Sequence, residues 1–346
     1  MDIPQAEQIR HLQFHGTPQA LFGIWIVNVF LTLVTCGVYY FWAKVRIREY
    51  LLSQTGFEGD RFAYHGSGKE LLIGWLKMMS CVGIPYSAMT YGVTWLGADP
   101  QTVLIFGLIA WLILFAFPPL ASVWAMRYRF SRMSWRRVRF AFHAPVRSFL
   151  ILVLKGTFLT LVTLGLYYPI YVSQKRAFLV SHTFFGSEPF NFNGQDKELF
   201  LACFKSILIS IFLFFFGFVA SFLWLAMGMW FMFPACMGIL LMLIWAYLHA
   251  EIQRFFWNHT SLRSACCRST VEFDTFYWLK LGNLALLMLS LGLAWPWVRT
   301  RNIRYEYKHH ALEGPVELTG IVQNFKDASA TGDEAAGFFD AGFDVG

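Results

Sequence analysis

Seven long apolar stretches dominate the hydrophobic pattern, at about 18–43, 71–97, 101–126, 148–172, 199–225, 226–248 and 275–298. A helix needs about 20 mostly apolar residues to cross roughly 30 Å of hydrocarbon, so each predicts a membrane helix. Lys77, Lys155, Lys205 and Lys280 each stand alone inside one of these stretches. The pairs 71–97/101–126 and 199–225/226–248 are joined by a few residues without Lys or Arg and read as tight helical hairpins. Pro85, Pro118-Pro119 and Pro234 fall inside spans, where neighbouring helices can satisfy the freed backbone groups.

Between the apolar stretches the period changes from helical to alternating. Thr55-Gly-Phe57-Glu-Gly59-Asp-Arg-Phe62-Ala-Tyr64-His-Gly66 sets apolar residues on alternate positions around a glycine or charged centre, which predicts a short β-hairpin. Residues 183–194 and 310–320 repeat it, and 133–144 and 260–274 carry weaker versions.

These pieces recur in order. Phe30-Leu-Thr-Leu-Val-Thr35 returns letter for letter as Phe158-Leu-Thr-Leu-Val-Thr163, a shift of 128. The same shift aligns Gly37 with Gly165, Lys69-Glu70-Leu71 with Lys197-Glu198-Leu199, and Lys77 with Lys205. A third, partial copy aligns Asn28 with Asn283, Gly37 with Gly292 and Trp42 with Trp297. Repeats of this kind decide the architecture. The organisation expected is an N-terminal segment 1–17, repeats at 18–145 and 146–272, a partial repeat at 273–325 and an acidic tail at 326–346. The expected fold class is an all-α polytopic membrane protein, with about seven helical segments and β-hairpins serving only as short caps.

Composition strengthens the membrane reading. Hydrophobic residues make up 57% of the 346 positions and charged residues 14%, against roughly 25% charged in soluble domains, too few for a polar skin. The first 17 residues are polar and the first apolar stretch is too long for a signal-peptide core, so the first span is expected to act as an uncleaved insertion signal. The six cysteines show no metal spacing. Cys266-Cys267 is a vicinal pair in a polar loop, with only a minor case for redox or metal chemistry. No nucleotide loop, H-E-x-x-H, G-x-S-x-G or EF-hand pattern occurs, His249-Ala-Glu251 and His309-His310 are isolated at helix ends, and the chain is read as a non-enzyme without cofactor or metal.

The segments Thr35-Cys-Gly-Val-Tyr-Tyr-Phe-Trp-Ala-Lys-Val-Arg46 and Leu159-Thr-Leu-Val-Thr-Leu-Gly-Leu-Tyr-Tyr-Pro169 resemble the YjgN-like bacterial inner-membrane proteins, a family of unknown function. Their hallmark is T-L-G-x-Y-x-P-W-[AT]-x-x-R followed by N/S-x-T-x-x-x-G-x-x-F-x-x-x-G. The resemblance covers about residues 14–325 and the Phe-rich acidic end. Phe41 replaces the usual Pro, Ile170 the usual Trp, and Gly156 stands where Asn28 and Asn283 stand. It implies a bacterial inner membrane and no particular activity.

Orientation follows from basic residues, which mark the cytoplasmic side. Lys and Arg number 5 in 44–70, 7 in 127–147, 3 in 173–198, 3 in 251–274 and 5 in 299–326. Span 148–172 therefore has basic flanks on both ends. One resolution lets all seven segments cross, with the N-terminus outside, the C-terminus cytoplasmic and the two copies inverted; it is slightly favoured. The other makes the three Thr-(Leu/Cys)-Gly segments re-entrant elbows, with every cap cytoplasmic.

Several residues are candidates for a solute pathway. Lys77 and Lys205 are intramembrane charges, each seven residues and two helical turns after Glu70 or Glu198. Both are also near enough to a helix start to snorkel, the stronger reading. Asn28, Thr32 and Thr35 share one helix face, repeated by Gly156, Thr160 and Thr163 and partly by Asn283 with Ser290. Such a stripe chiefly suits helix packing in lipid; the breaks at Gly37, Gly165 and Gly292 give it a second reading as a transporter lining. Arg127, Arg129, Arg132, Arg136, Arg137 and Arg139 form a basic block interleaved with aromatics. Beside a membrane this predicts contact with anionic lipid headgroups rather than nucleic acid. The tail's Phe338, Phe339 and Phe343 among acids could dock a partner. The leading function is a transporter or channel for a small solute, with an anion as the candidate, and its rival is a membrane scaffold or partner-binding protein.

Overall fold

The computed structural model describes residues 9–228 and 232–314. The acidic tail 326–346, with Phe338, Phe339 and Phe343, and the end of the partial repeat from 315 lie outside the described residues. The chain alternates helical hairpins and β-hairpins. The helices are α1 (Pro18–Val34), α2 (Tyr40–Ser53), α3 (Gly68–Met78, carried on by π-helical and α-helical turns to residue 95), α4 (Pro100–Ser131) and α5 (Val146–Val162). They continue as α6 (Tyr168–Ser181), α7 (Asp196–Ala226), α8 (Met232–Asn258), α9 (Phe273–Leu289) and α10 (Trp295–His309). The strands are β1 (Ile9–His11), β2 (Gln13–Phe14), β3 (Thr55–Phe57), β4 (Asp60–Tyr64), β5 (Met133–Trp135), β6 (Val138–Phe142), β7 (Thr183–Phe185), β8 (Glu188–Phe192), β9 (Thr260–Leu262), β10 (Ala265–Ser269) and β11 (His310–Glu313).

The strands overturn the all-α expectation. They form one antiparallel sheet of eleven strands in the order β1-β11-β10-β9-β8-β7-β6-β5-β4-β3-β2. Only Leu12 separates β1 from β2, so the N-terminal strand pairs with β11 on one side and β3 on the other and closes the sheet into a ring. The physical reason lies in the size of the hairpins. Strands of three and five residues are marginal alone and leave unpaired edges, and edge-to-edge pairing removes both problems. Every junction between hairpins is an apolar pair: Phe62 opposite Trp135, Phe140 opposite Phe185, Phe190 opposite Leu262 and Cys267 opposite Leu312. Phe57, Trp135, Phe185 and Leu262 are the buried centre of the ring. The turns use left-handed backbone, with φ of 49° and 83° at Glu58-Gly59 and 48° and 66° at Arg136-Arg137, as two-residue I′ hairpins require.

The count of about seven membrane helices also fails. Among the described residues, three helices are long and apolar enough to cross a membrane: Pro100–Ser131, Asp196–Val219 and Met237–Asn258. The segments 35–37, 163–165 and 290–292 do not continue through. At each of them the chain turns back, and α1–α2, α5–α6 and α9–α10 become short helical hairpins with both ends at the β-ring. In α1 the Gly37 N–H bonds Thr32 O at 2.8 Å and the Cys36 N–H bonds Leu33 O at 3.2 Å, the two bonds of a Schellman stop. Gly165 and Gly292 repeat it on Thr160 O and Leu287 O. The φ values at the three glycines are +92°, +93° and +87°, a region open to glycine at no steric cost. The hydroxyl ahead of each break then starts the return helix, accepting from the backbone N–H of Tyr39, Tyr167 or Ala294 through Thr35, Thr163 or Ser290.

A unit smaller than the 128-residue repeat thus emerges: a helix entering the ring, a β-hairpin and a helix leaving it. Counting back 14 residues from the first residue of the strand that follows each incoming helix gives Phe41, Pro119, Pro169, Ala246 and Pro296. Counting back 10 gives Val45, Val123, Ser173, Ala250 and Thr300, all buried. The five incoming helices therefore pack alike, although two of them are the ends of long spans.

Candidate functional site

A cavity of about 720 Å³ opens between α1, α2, α10 and the ring end of α4, within the usual size range of small-molecule sites. One whole face of α2 lines it: Tyr40, Ala43, Lys44, Ile47, Arg48, Leu51 and Leu52, followed by Thr55 at the start of β3. That i, i+3, i+4 spacing is one helix face. From α10 come Trp295, Arg299, Ile303, Glu306 and Tyr307, and from α4 comes Arg129. The cavity therefore gathers four cations, Lys44, Arg48, Arg129 and Arg299, against the one carboxylate Glu306. Lys44 is only 8% exposed, an unusual setting for an ammonium. Burial raises the Glu306 carboxyl above its ordinary range, while Lys280 and Arg299 act in the opposite direction. Asn28 supplies a further polar atom: its amide N–H donates to Ala43 O at 3.3 Å, while its buried Oδ1 has no hydrogen-bond partner.

Two residues of the polar stripe enter this cavity, Asn28 and Thr32. The stripe also holds the fold. Thr32 and Thr160 donate to Asn28 O and Gly156 O one turn back, and Thr35 and Thr163 cap the elbows. Asn283 is buried and donates to Asn302 Oδ1 at 2.9 Å, an oxygen that also accepts from Lys280. Lys77 and Lys205 are exposed and line none of these surfaces. Nor do they pair with the glutamates seven residues earlier. Glu70 accepts from Tyr128 Oη at 2.8 Å and from Arg132 at 3.1 Å, and Glu198 faces His259 at 3.2 Å. Both carboxylates tie an outgoing helix to the residue just before the next hairpin.

The arginine block divides: Arg136, Arg137 and Arg139 line one basic pocket with Arg61 at the ring's edge, and the other three turn elsewhere. Arg127 donates to Ala144 O, Arg129 lines the cavity, and Arg136 bonds Glu58 and Asp60 and lies 4.4 Å from the Trp135 ring. Arg137 and Arg139 are exposed at the ring's edge.

Sequence reasoning missed Lys44, Arg48, Arg299 and Glu306 as a site. Lys44 and Arg48 were legible as an i, i+4 pair inside an otherwise apolar face, but their convergence with α10 depends on the closure of the helix ring. A second, smaller cavity of about 190 Å³ sits inside the β-ring among Phe57, Trp135, Phe185, Cys267 and His310. His310 stacks on Trp257 at 4.2 Å, and burial, with His309 nearby, pushes its pKa down to about 4. Cys267 is pushed up to about 11, chiefly by burial, which keeps it a thiol.

Long apolar helices beside a basic cavity define the class as a membrane protein. The model of the family described as "Bacterial protein of unknown function (DUF898)" matches residues 10–338, and the chain belongs to that family. Its relatives include the inner membrane protein YjgN of Escherichia coli K12, 28% identical over 43% of this chain and 34% of that protein. YjgN of Escherichia coli O157:H7 is 25% identical over 85% of this chain and 59% of that protein, and YjgN of Salmonella typhimurium LT2 is 22% identical over 91% of each. In the two E. coli relatives the matched region is thus less than two thirds of the whole. No solved structure matches the chain. The protein is an inner-membrane protein of a family whose activity is not established.

Proposed function

We propose that the protein is a multi-pass carrier that takes an acidic solute into the cavity between α1, α2, α4 and α10. The buried Lys44 beside Arg48 carries this reading, because charges removed from water inside a membrane protein usually mark a pathway or ligand site. The four cations outweigh the single carboxylate, so the preferred ligand is an anion. Gathering every β-hairpin into one ring supports an orientation with all the basic connections, and the C-terminus, in the cytoplasm. The exposed Arg137 and Arg139 then stand where lipid headgroups or cytoplasmic polyanions reach them. Catalysis has no part in this reading.

The test is binding by the purified full chain in neutral detergent, with inorganic phosphate, citrate and octanoate as probes. At least one should raise the midpoint of thermal unfolding of the wild type and leave Lys44→Gln/Arg48→Gln unmoved. If no acid distinguishes the two proteins, the cavity is structural, and the membrane-scaffold reading takes its place.

A further inference from the structure

The cavity is not uniformly polar along its length. On α2 the lining begins at Tyr40, 46% exposed, beside the elbow at Gly37. The facing residue of α1 is Leu33, 73% exposed, and α10 contributes Trp295 at the same end. The charges come later, at Lys44, Arg48, Arg299 and Glu306, with Arg129 beside the β-ring. From Tyr40 to Thr55 this face runs about 22 Å at 1.5 Å per residue. The site thus has an apolar end open at the outer surface near the elbow and a cationic end toward the ring, with Lys44 buried and Arg299 exposed.

We propose that the occupant is an anionic amphiphile, a single acidic head on an acyl chain. The head lies among Lys44, Arg48, Arg129 and Arg299, and the chain leaves past Leu33 and Tyr40 into the bilayer. The inference rests on the anion-binding reading and adds the chain to it. Three features carry it together. The cations match an acidic head, and the exposed leucine and tyrosine at the mouth match the start of an acyl chain. The unpartnered, buried Asn28 Oδ1 in the cavity wall supplies an acceptor for a hydroxyl, which a glycerol-based head possesses. With the β-ring on the cytoplasmic side, head and chain also point as they do in a lipid of the inner leaflet, so the ligand enters sideways without turning over.

The experiment is native mass spectrometry of the delipidated full chain released from a neutral detergent. Oleate and 1-oleoyl-lysophosphatidylglycerol are the acidic amphiphiles, monoolein the uncharged one, and glycerol 3-phosphate the head without a chain. One acidic amphiphile should bind per protein at least tenfold more tightly than monoolein or glycerol 3-phosphate. Preference for oleate or for the lysolipid tells a fatty acid from a phospholipid source. Arg299→Gln, at an exposed position where folding is not at risk, should weaken both acidic amphiphiles at least fivefold. Leu33→Trp, which fills the mouth, should weaken them without changing the response to glycerol 3-phosphate. Equal binding of glycerol 3-phosphate and the amphiphiles overturns the chain but leaves the anion site standing. Equal binding of monoolein overturns the acidic head, and binding of none overturns both readings.

Discussion

Gly156 stands where the other two copies have Asn28 and Asn283, and its neighbours supply the reason. A Cβ built on Gly156 would come within 2.0 Å of the Tyr171 ring, and Tyr171 stands where the first copy has Ala43. The large residue has moved from one helix of the pair to the other, Asn28 over Ala43 becoming Gly156 under Tyr171. Gly156→Ala should therefore lower the thermal midpoint in detergent clearly, whereas Gly107→Ala, with open space around it on α4, should leave it unchanged or slightly higher. Gly165 fails differently. Nothing lies within 4 Å of its Cβ position, but its φ is +93°, and left-handed backbone costs an ordinary residue about 1–2 kcal/mol. Gly165→Val should lose at least that much, read as a lower midpoint and less folded protein in the membrane. His310 gives a pH dependence. Its folded pKa of about 4 lies below the ordinary 6.5, so the unfolded chain takes up a proton before the folded one does. Its contribution to stability is intact above about pH 6.5 and is lost progressively as the pH falls toward 4. His310→Phe keeps a ring against Trp257 and should flatten that part of the pH–stability curve; an unchanged slope would remove His310 as its source.

At the scale of elements, the helices divide into arms long and apolar enough to span a membrane and arms that turn back. A run of 17 apolar residues such as α1 reaches about 25 Å, short of a full crossing, before the Schellman stop reverses it. The sequence made both glycine and threonine visible at this point, and the re-entrant alternative followed from basic flanks on both ends of span 148–172. It could not decide between crossing and returning, because hydropathy is the same in either case. What decides it is hydrogen bonding at two or three residues. The intramembrane lysines were legible too, but the sequence did not show that the glutamates two turns before them bond Tyr128, Arg132 and His259. Lys77→Met and Lys205→Met should accordingly leave stability in detergent close to wild type. Glu70→Ala should cost more than either, since it leaves the buried Tyr128 hydroxyl without its acceptor. A large loss at Lys77→Met with none at Glu70→Ala would reverse that assignment.

On the scale of the whole molecule, four helix–hairpin–helix units and a fifth helix leading into β11 share one β-ring among the described residues, and the 128-residue repeat is a consequence of that arrangement. The hairpin motif was readable at the four places where a hairpin is described, two of them weakly, and the expected fifth at 310–320 runs beyond the described residues after β11; its meaning was not readable. Strands of three to five residues carry no signal for what they pair with, and ring closure depends on Leu12 carrying the N-terminal strand from β11 to β3. The cationic cavity has the same origin, since α2 and α10 are far apart in sequence and meet only when the ring of helices closes on α1. One-sidedness of the ring is the central claim, and a topology reporter inserted in the hairpin turns tests it most directly. Reporters after residues 58, 136, 186 and 263 should all read cytoplasm, with one after residue 99, between α3 and α4, reading periplasm. Periplasmic signals at 186 and 263 would mean that the second copy is inverted, that the hairpins cannot share one sheet, and that the cavity built on their closure does not exist.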